Sequence, residues 1–227
     1  MEFELPPEYQ MIKDTVQRFV RDELLPLEPG VLAREAKEGI CKLTTKEKEV
    51  LLEKCKNLGL WGLDVPKEYD GMNLSSVAMV GINEAIGTTP VPFTFPPDSP
   101  NLHMLKETVN EIQKQKYLIP YAKGETVSAI AISEPGAGSD PSSMVTKAVK
   151  DGTDWVINGR KIWISRVDEA DFTILVAVTD PEKGTRGGMS SFIIEKDTPG
   201  FIVEREIPLI GGARNFELVL EDCRVPS

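Results

Sequence analysis

The sequence predicts an α+β chain: an N-terminal all-helical domain over residues 1–124, then an antiparallel β-barrel or sandwich over residues 125–227. Three observations carry that prediction. Up to Ile119, apolar residues recur at helical spacing, with capping residues ahead of the runs. From Thr126 the apolar pattern changes to period two. The period-two runs are short and separated by turn residues with no helical pattern between them, as consecutive antiparallel strands would be.

Pro6 and Pro7 precede a helix whose Ile12, Val16, Phe19 and Val20 share one face, and Pro26 and Pro29-Gly30 are expected to end it. Thr44 and Glu47 make a capping box for the next helix, which turns Leu51, Cys55 and Leu58 inward and stops at Gly59. Trp61 to Gly71 reads as a loop, and Ser75 or Ser76 caps a third helix running to about Gly87. The five prolines from Pro90 to Pro100 predict an extended connector. Its Phe93 and Phe95 either lid a pocket or pack over a neighbouring helix. Ser99-Pro100 restarts a helix, and another spans roughly Asn110 to Ile119 before Pro120, with Lys114 and Lys116 on a solvated face. Strands are expected near 126–133, 144–150, 154–158, 160–165, 171–179, 190–196, 201–206 and 216–221, with turns at Asp151-Gly152 and Asn158-Gly159.

At 227 residues, 41% hydrophobic and 27% charged, the chain is long enough and apolar enough for a sizeable core. No apolar run reaches membrane-spanning length, and Met1-Glu-Phe-Glu-Leu-Pro-Pro does not read as a signal peptide. Cys41, Cys55 and Cys223 lack ligand spacing and read as reduced structural thiols. A net charge of −10 disfavours a nucleic-acid surface, and an anionic ligand would have to be met by local basic residues. His103, the only histidine, lies in a helical stretch without a partner pattern, so neither a catalytic triad nor a zinc site is expected.

Two stretches carry the chemistry. In Ile130-Ala-Ile-Ser-Glu-Pro-Gly-Ala-Gly-Ser-Asp140, a strand runs into a loop whose Gly136 and Gly138 let backbone N–H groups approach a ligand closely. The same residues also make an ordinary turn. It is neither a Walker loop nor a dinucleotide fingerprint, since no Gly-Lys-Ser/Thr and no helical pattern follows. In Asn158-Gly-Arg-Lys-Ile-Trp-Ile-Ser165, alternation places Lys161, Trp163 and Ser165 on one strand face and Ile162 and Ile164 on the other. A Trp beside a hydroxyl offers a plane and a hydrogen bond to a flat heteroaromatic ring; equally, Trp163 is a core aromatic.

Together these stretches resemble the paired signature of the acyl-CoA dehydrogenase family. Leu58-Gly-Leu-Trp-Gly-Leu-Asp-Val-Pro-Lys-Glu-Tyr-Asp-Gly71, Gln113-Lys-Gln-Lys-Tyr-Leu-Ile-Pro-Tyr-Ala-Lys-Gly-Glu125, Thr198-Pro-Gly-Phe and Leu218-Val-Leu-Glu-Asp-Cys-Arg-Val-Pro226 resemble further blocks in the same order. The resemblance implies an FAD-dependent oxidoreductase that takes an acyl-CoA thioester to its trans-2-enoyl product. It also implies an electron-transfer flavoprotein or similar acceptor, and a homodimer or homotetramer. A compartment follows from the source: cytoplasm in a bacterium, mitochondrion or peroxisome in a eukaryote. The alternatives are a same-fold flavin oxidase or monooxygenase, and a non-catalytic acyl-CoA- or flavin-binding module.

By that resemblance Ile130, Ala131, Ile132, Ser133, Gly138, Ser139, Trp163, Ile164 and Ser165 hold FAD, and Ser139 also meets the acyl-CoA. Ser133 and Ser165 stand where the family has threonines, keeping the hydroxyl and losing a methyl. Ile130 replaces a frequent aromatic, and Arg166-Val167-Asp168 replaces a common Asn-Gly-Gly, placing a bulky Arg near the flavin edge. In Thr179 to Gly188, Lys183 and Arg186 are either phosphate contacts for CoA or parts of a solvated loop. The family's catalytic Glu belongs to a helical domain after the Val-Pro station. No residue here is assigned as the base, and the chain is expected to be a fragment that is inactive alone.

Overall fold

The computed structural model describes residues 6–209 and 213–226. The chain divides into two compact units, Met1–Glu125 and Thr126–Ser227.

The first unit is helical. α1 (Pro7–Phe19) buries Val16 and Phe19. Contrary to expectation, the prolines that follow do not end the helical course. It passes through a π turn (Val20–Leu24) and a 3-10 turn (Leu25–Leu27) into α2 (Glu28–Glu38). Pro26 and Pro29 fall in the opening turns of new segments, where a missing N–H deprives no helical acceptor. Gly39, at φ 72°, supplies the left-handed stop.

The Thr44–Glu47 capping box forms as expected and opens α3 (Thr45–Asn57). Leu51 and Cys55 are buried, but Leu58 is 50% exposed, because it lies past the last turn and leaves the helix face. Burial pushes the Cys55 thiol up to about 12, so it is an inert packing group. Ser75 caps α4 (Ser76–Ile86) by accepting the Ala78 N–H.

In the proline connector, Phe93 and Phe95 stack on Phe19, with ring centroids 5.5–5.7 Å apart. Phe93 is core and the partly buried Phe95 packs against it, so the lid alternative drops out. α5 (Leu102–Thr108) carries the exposed His103. Asn110 and Gln113 form a second capping box at α6 (Glu111–Gln113), which continues through a π turn into α7 (Ile119–Lys123). Pro120 sits in the first turn of α7 and does not stop it; Gly124 does, at φ 76°.

The second unit is a curled half-barrel of β1 (Ser128–Ala131), β2 (Lys147–Asp151), β3 (Asp154–Ser165), β4 (Phe172–Val178), β5 (Met189–Glu195), β6 (Phe201–Pro208) and β7 (Arg214–Pro226). The order is β1-β4-β2-β3-β7-β6, with β5 on β4. The sheet is mixed where the sequence suggested a wholly antiparallel one: β1 lies parallel to β4, and Lys147 of β2 meets Val178 of β4 in parallel. The β2–β3 hairpin lies in the connection from β1 to β4, which gives the chain the length a parallel return needs. Period-two patterning is the same for both directions.

Asn158-Gly159 is likewise not a turn. β3 runs straight through it, and the two strands expected there are one. The irregularity is a bulge: Ile157 to Gly159 is matched by Cys223 to Leu220, leaving an extra residue on β7. Asn158 bonds across to Asp222, donating to its carboxylate at 3.0 Å and accepting its N–H at 2.9 Å. Glycine is needed at 159 because a Cβ would come within 2.7 Å of the Thr146 Cα. The core inside the curl holds Ile157, Leu175, Ile194, Leu218 and Cys223, with Trp155 edge-on to Phe192 at 5.6 Å. Among the described residues no helix is long and apolar enough to cross a membrane.

Candidate functional site

The loop leaving β1 is tied down at its base and open at its tip. Glu134 donates its N–H to the Ala137 carbonyl at 2.9 Å and accepts the Ala137 N–H at 3.2 Å, closing a tight turn over Pro135-Gly136. The Glu134 carboxylate points inward. It accepts the Lys161 ammonium at 2.8 Å, the Val145 N–H at 2.7 Å and the Thr146 N–H at 3.0 Å. Lys161 also donates to the Ile132 carbonyl at 2.9 Å, and the Ile162 N–H to the Ser133 carbonyl at 2.9 Å. The two charged side chains are 1% and 0% exposed. Burial works to raise the Glu134 pKa, but hydrogen bonds from Lys161, Thr146 and Val145 hold it below the ordinary glutamate value. Burial pulls Lys161 down, partly offset by Glu134.

The strand alternation that would put Lys161 and Trp163 on one face is broken. Between Lys161 and Ile164 the partner strand advances only from Leu218 to Phe216, so β3 carries an extra residue. Trp163 takes a left-handed backbone, φ 63°, within this bulge, and the residue is 52% exposed. Lys161 is core and Trp163 is surface, which overturns the shared face and removes the core reading of Trp163. Ile164 returns to the core at 2%, and Ser165 is exposed, its hydroxyl donating to the Asn215 side-chain amide oxygen at 2.7 Å. The next turn is fixed: Asp168 pairs with Arg214, which also reaches Glu206 at 3.2 Å.

The structure thus brings Ile132 and Ser133 against the segment carrying Trp163 and Ser165, through the backbone bonds of Ile132 and Ser133. Ile132 is 41% exposed and Ser133 half-buried, while Gly138 and Ser139 lie exposed at the tip. Ile130 is half-buried; Ala131 and Ile164 point into the core, so only their backbone is available to a ligand. A Cβ at Gly136 or Gly138 would meet nothing within 4 Å, and neither glycine has positive φ. The chain does not need glycine there for its own packing. Among the described residues the N–H groups of Gly136, Gly138 and Ser139 have no acceptor within the chain. An open backbone beside an exposed indole and two serine hydroxyls fits a planar, phosphate-bearing cofactor.

Arg186 is exposed in the β4–β5 loop, and Lys183 beside it is engaged by Asp180 at 2.9 Å. Because β1 and β4 are parallel, that loop leaves the sheet at the same end as the loop after β1. Arg186 is brought to that end of the sheet. Sequence reasoning missed the Glu134–Lys161 pair and Asn215, since nothing in a strand pattern marks a charge for burial. A groove of about 760 Å³ in the helical unit, lined by Met11, Arg18, Leu58 and Met72 among others, involves none of these residues. Among the described residues no cluster of ligating side chains could hold a metal ion.

Comparisons with known proteins place the chain in a family. The family described as "Acyl-CoA dehydrogenase, N-terminal domain" matches residues 6–125, and "Acyl-CoA dehydrogenase, middle domain" matches residues 129–223. The chain is 39% identical to (R)-benzylsuccinyl-CoA dehydrogenase of Thauera aromatica, over 99% of this chain and 58% of that protein. Butyryl-CoA dehydrogenase from Megasphaera elsdenii superposes with a TM-score of 0.78 at 28% identity, covering 100% of this chain and 58% of the other. The FAD complex of PigA superposes at 0.79, with 28% identity and the same coverage. The chain therefore spans a little over half the length of these relatives.

Proposed function

The chain belongs to the acyl-CoA dehydrogenase family, and on that premise we propose that it supplies the FAD-holding part of an enzyme that desaturates acyl-CoA thioesters between Cα and Cβ. The observation that carries this is the bulge that turns Trp163 out of the core, on the segment bonded to the loop of Ser133 and Ser139. FAD, when bound, would accept the hydride released from Cβ. This chain's residues hold and orient. The Trp163 indole offers a face, Ser133 and Ser165 offer hydroxyls, and the free N–H groups of Gly136, Gly138 and Ser139 offer donors to phosphate. Ser165, which donates to Asn215, keeps lone pairs to accept a bond from a ligand.

The substrate is an acyl-CoA, with Ser139 and Arg186 as candidate contacts and no residue assigned as the base. Electrons would pass to an electron-transfer flavoprotein or similar carrier, from a homodimer or homotetramer. Titration with FAD tests the cofactor site: Trp163→Ala is expected to weaken binding about tenfold and shift the flavin spectrum. Unchanged affinity and spectrum would remove Trp163 from the site. In the enzyme containing this sequence, a thioester panel including an arylsuccinyl-CoA, run with an artificial acceptor and with oxygen alone, separates dehydrogenase from oxidase. No reaction with either acceptor would leave the binding-module reading.

A further inference from the structure

We propose that the buried Glu134–Lys161 pair is a latch that aims the Ser133 backbone N–H at the ligand, making both residues positioning residues of the cofactor loop. This rests on the cofactor reading above. A trans peptide is planar, so its C=O and N–H point in opposite directions. In the Ile132–Ser133 peptide the carbonyl is held by the fully buried Lys161 ammonium at 2.9 Å. Its N–H therefore points away from the core, and among the described residues it has no acceptor within the chain.

Lys161 is held in turn by Glu134, whose carboxylate also takes the N–H groups of Val145 and Thr146, where the chain re-enters the sheet. The pair thus joins three segments: the start of the loop, its return and β3. A surface ion pair would do little of this, because water competes for it. Here each charge is inaccessible to water, so each depends on the other to stay ionised, and the peptide orientation follows from both. The exposed tip can then present unpaired donors without collapsing onto the sheet.

The test uses residues 1–227, FAD as the probe, and the paired variant Glu134→Gln/Lys161→Met, which removes both charges at nearly constant volume. Circular dichroism reports folding, flavin fluorescence reports affinity, and amide exchange is followed at Ile162 and Ala137. The variant is expected to fold, to bind FAD about tenfold more weakly and to exchange faster at both amides. The absorption envelope of the bound flavin should shift, which a loss of stability alone does not cause. A folded variant with affinity within about twofold of the parent overturns the latch. If the parent itself takes no FAD, the cofactor reading fails, and exchange decides the latch: faster supports it, unchanged sinks it. Should the paired variant not fold, Glu134→Asp keeps both charges and withdraws the carboxylate by one methylene. Several-fold weaker FAD binding, or for a parent that takes none faster exchange, then supports the latch, and no change overturns it.

Discussion

Single residues at the loop separate what the fold needs from what a ligand needs. Gly138 has no positive φ and open space where a Cβ would go, so Gly138→Val should leave the melting temperature nearly unchanged. The same side chain would stand between the backbone and an approaching phosphate, so FAD binding should be lost. Normal binding by that variant would reduce the loop to a turn. Glu134 makes an opposite prediction, on stability. Its folded pKa is depressed below the ordinary 4.5, so its contribution is complete above that value and lost as pH falls through the folded one. Chemical denaturation between about pH 6 and pH 3 should show a shallower acid loss in Glu134→Gln than in the parent. Equal slopes would mean that the carboxylate titrates as if exposed.

Elements here are shaped by their irregularities. β3 is paired to β7 by a ladder with two slips, and the slips do different work. The one at Gly159 lets the Thr146 backbone pass close by. The one at Trp163 turns an indole outward while keeping Ile164 in the core. Gly159→Ala should cost about 2 kcal/mol in equilibrium unfolding, because its Cβ meets Thr146, including the Thr146 Cα, which cannot swing aside as a side-chain end could. A cost near zero would show that the two segments separate easily. The helical elements show the converse: prolines expected to stop helices open new turns, and glycines with left-handed backbones make the stops.

At the level of the whole chain, the match covers both family domains and a little over half the length of the relatives. Gly138, Ser139 and Trp163 are exposed, and no described residue is assigned as the base for the α proton, so residues 1–227 with added FAD are expected to hold it weakly and to give no steady turnover with any acyl-CoA and an artificial acceptor. A site open to water weakens each polar contact made to the ring. Sustained turnover would place a base among these residues and change the assignment of roles.

Much of this was legible in the chain. The change from helical to period-two spacing near residue 125, the capping box at Thr44, and the ordered blocks that resemble one family are local properties of sequence, set by side-chain periodicity and backbone propensity. Strand direction was not legible, because parallel and antiparallel strands share one alternation. Nor were the bulges. Asn158-Gly159 satisfies the pattern of a turn and of a slipped ladder alike, and the choice is made by Asp222, which bonds Asn158 from a distant strand. The same holds for Lys161. A lysine in a strand reads as solvent-facing until the tertiary structure supplies a carboxylate, a carbonyl and a water-free space for it. Burial of a charge depends on partners far along the chain, so only the folded molecule could decide that Lys161 turns in and Trp163 turns out.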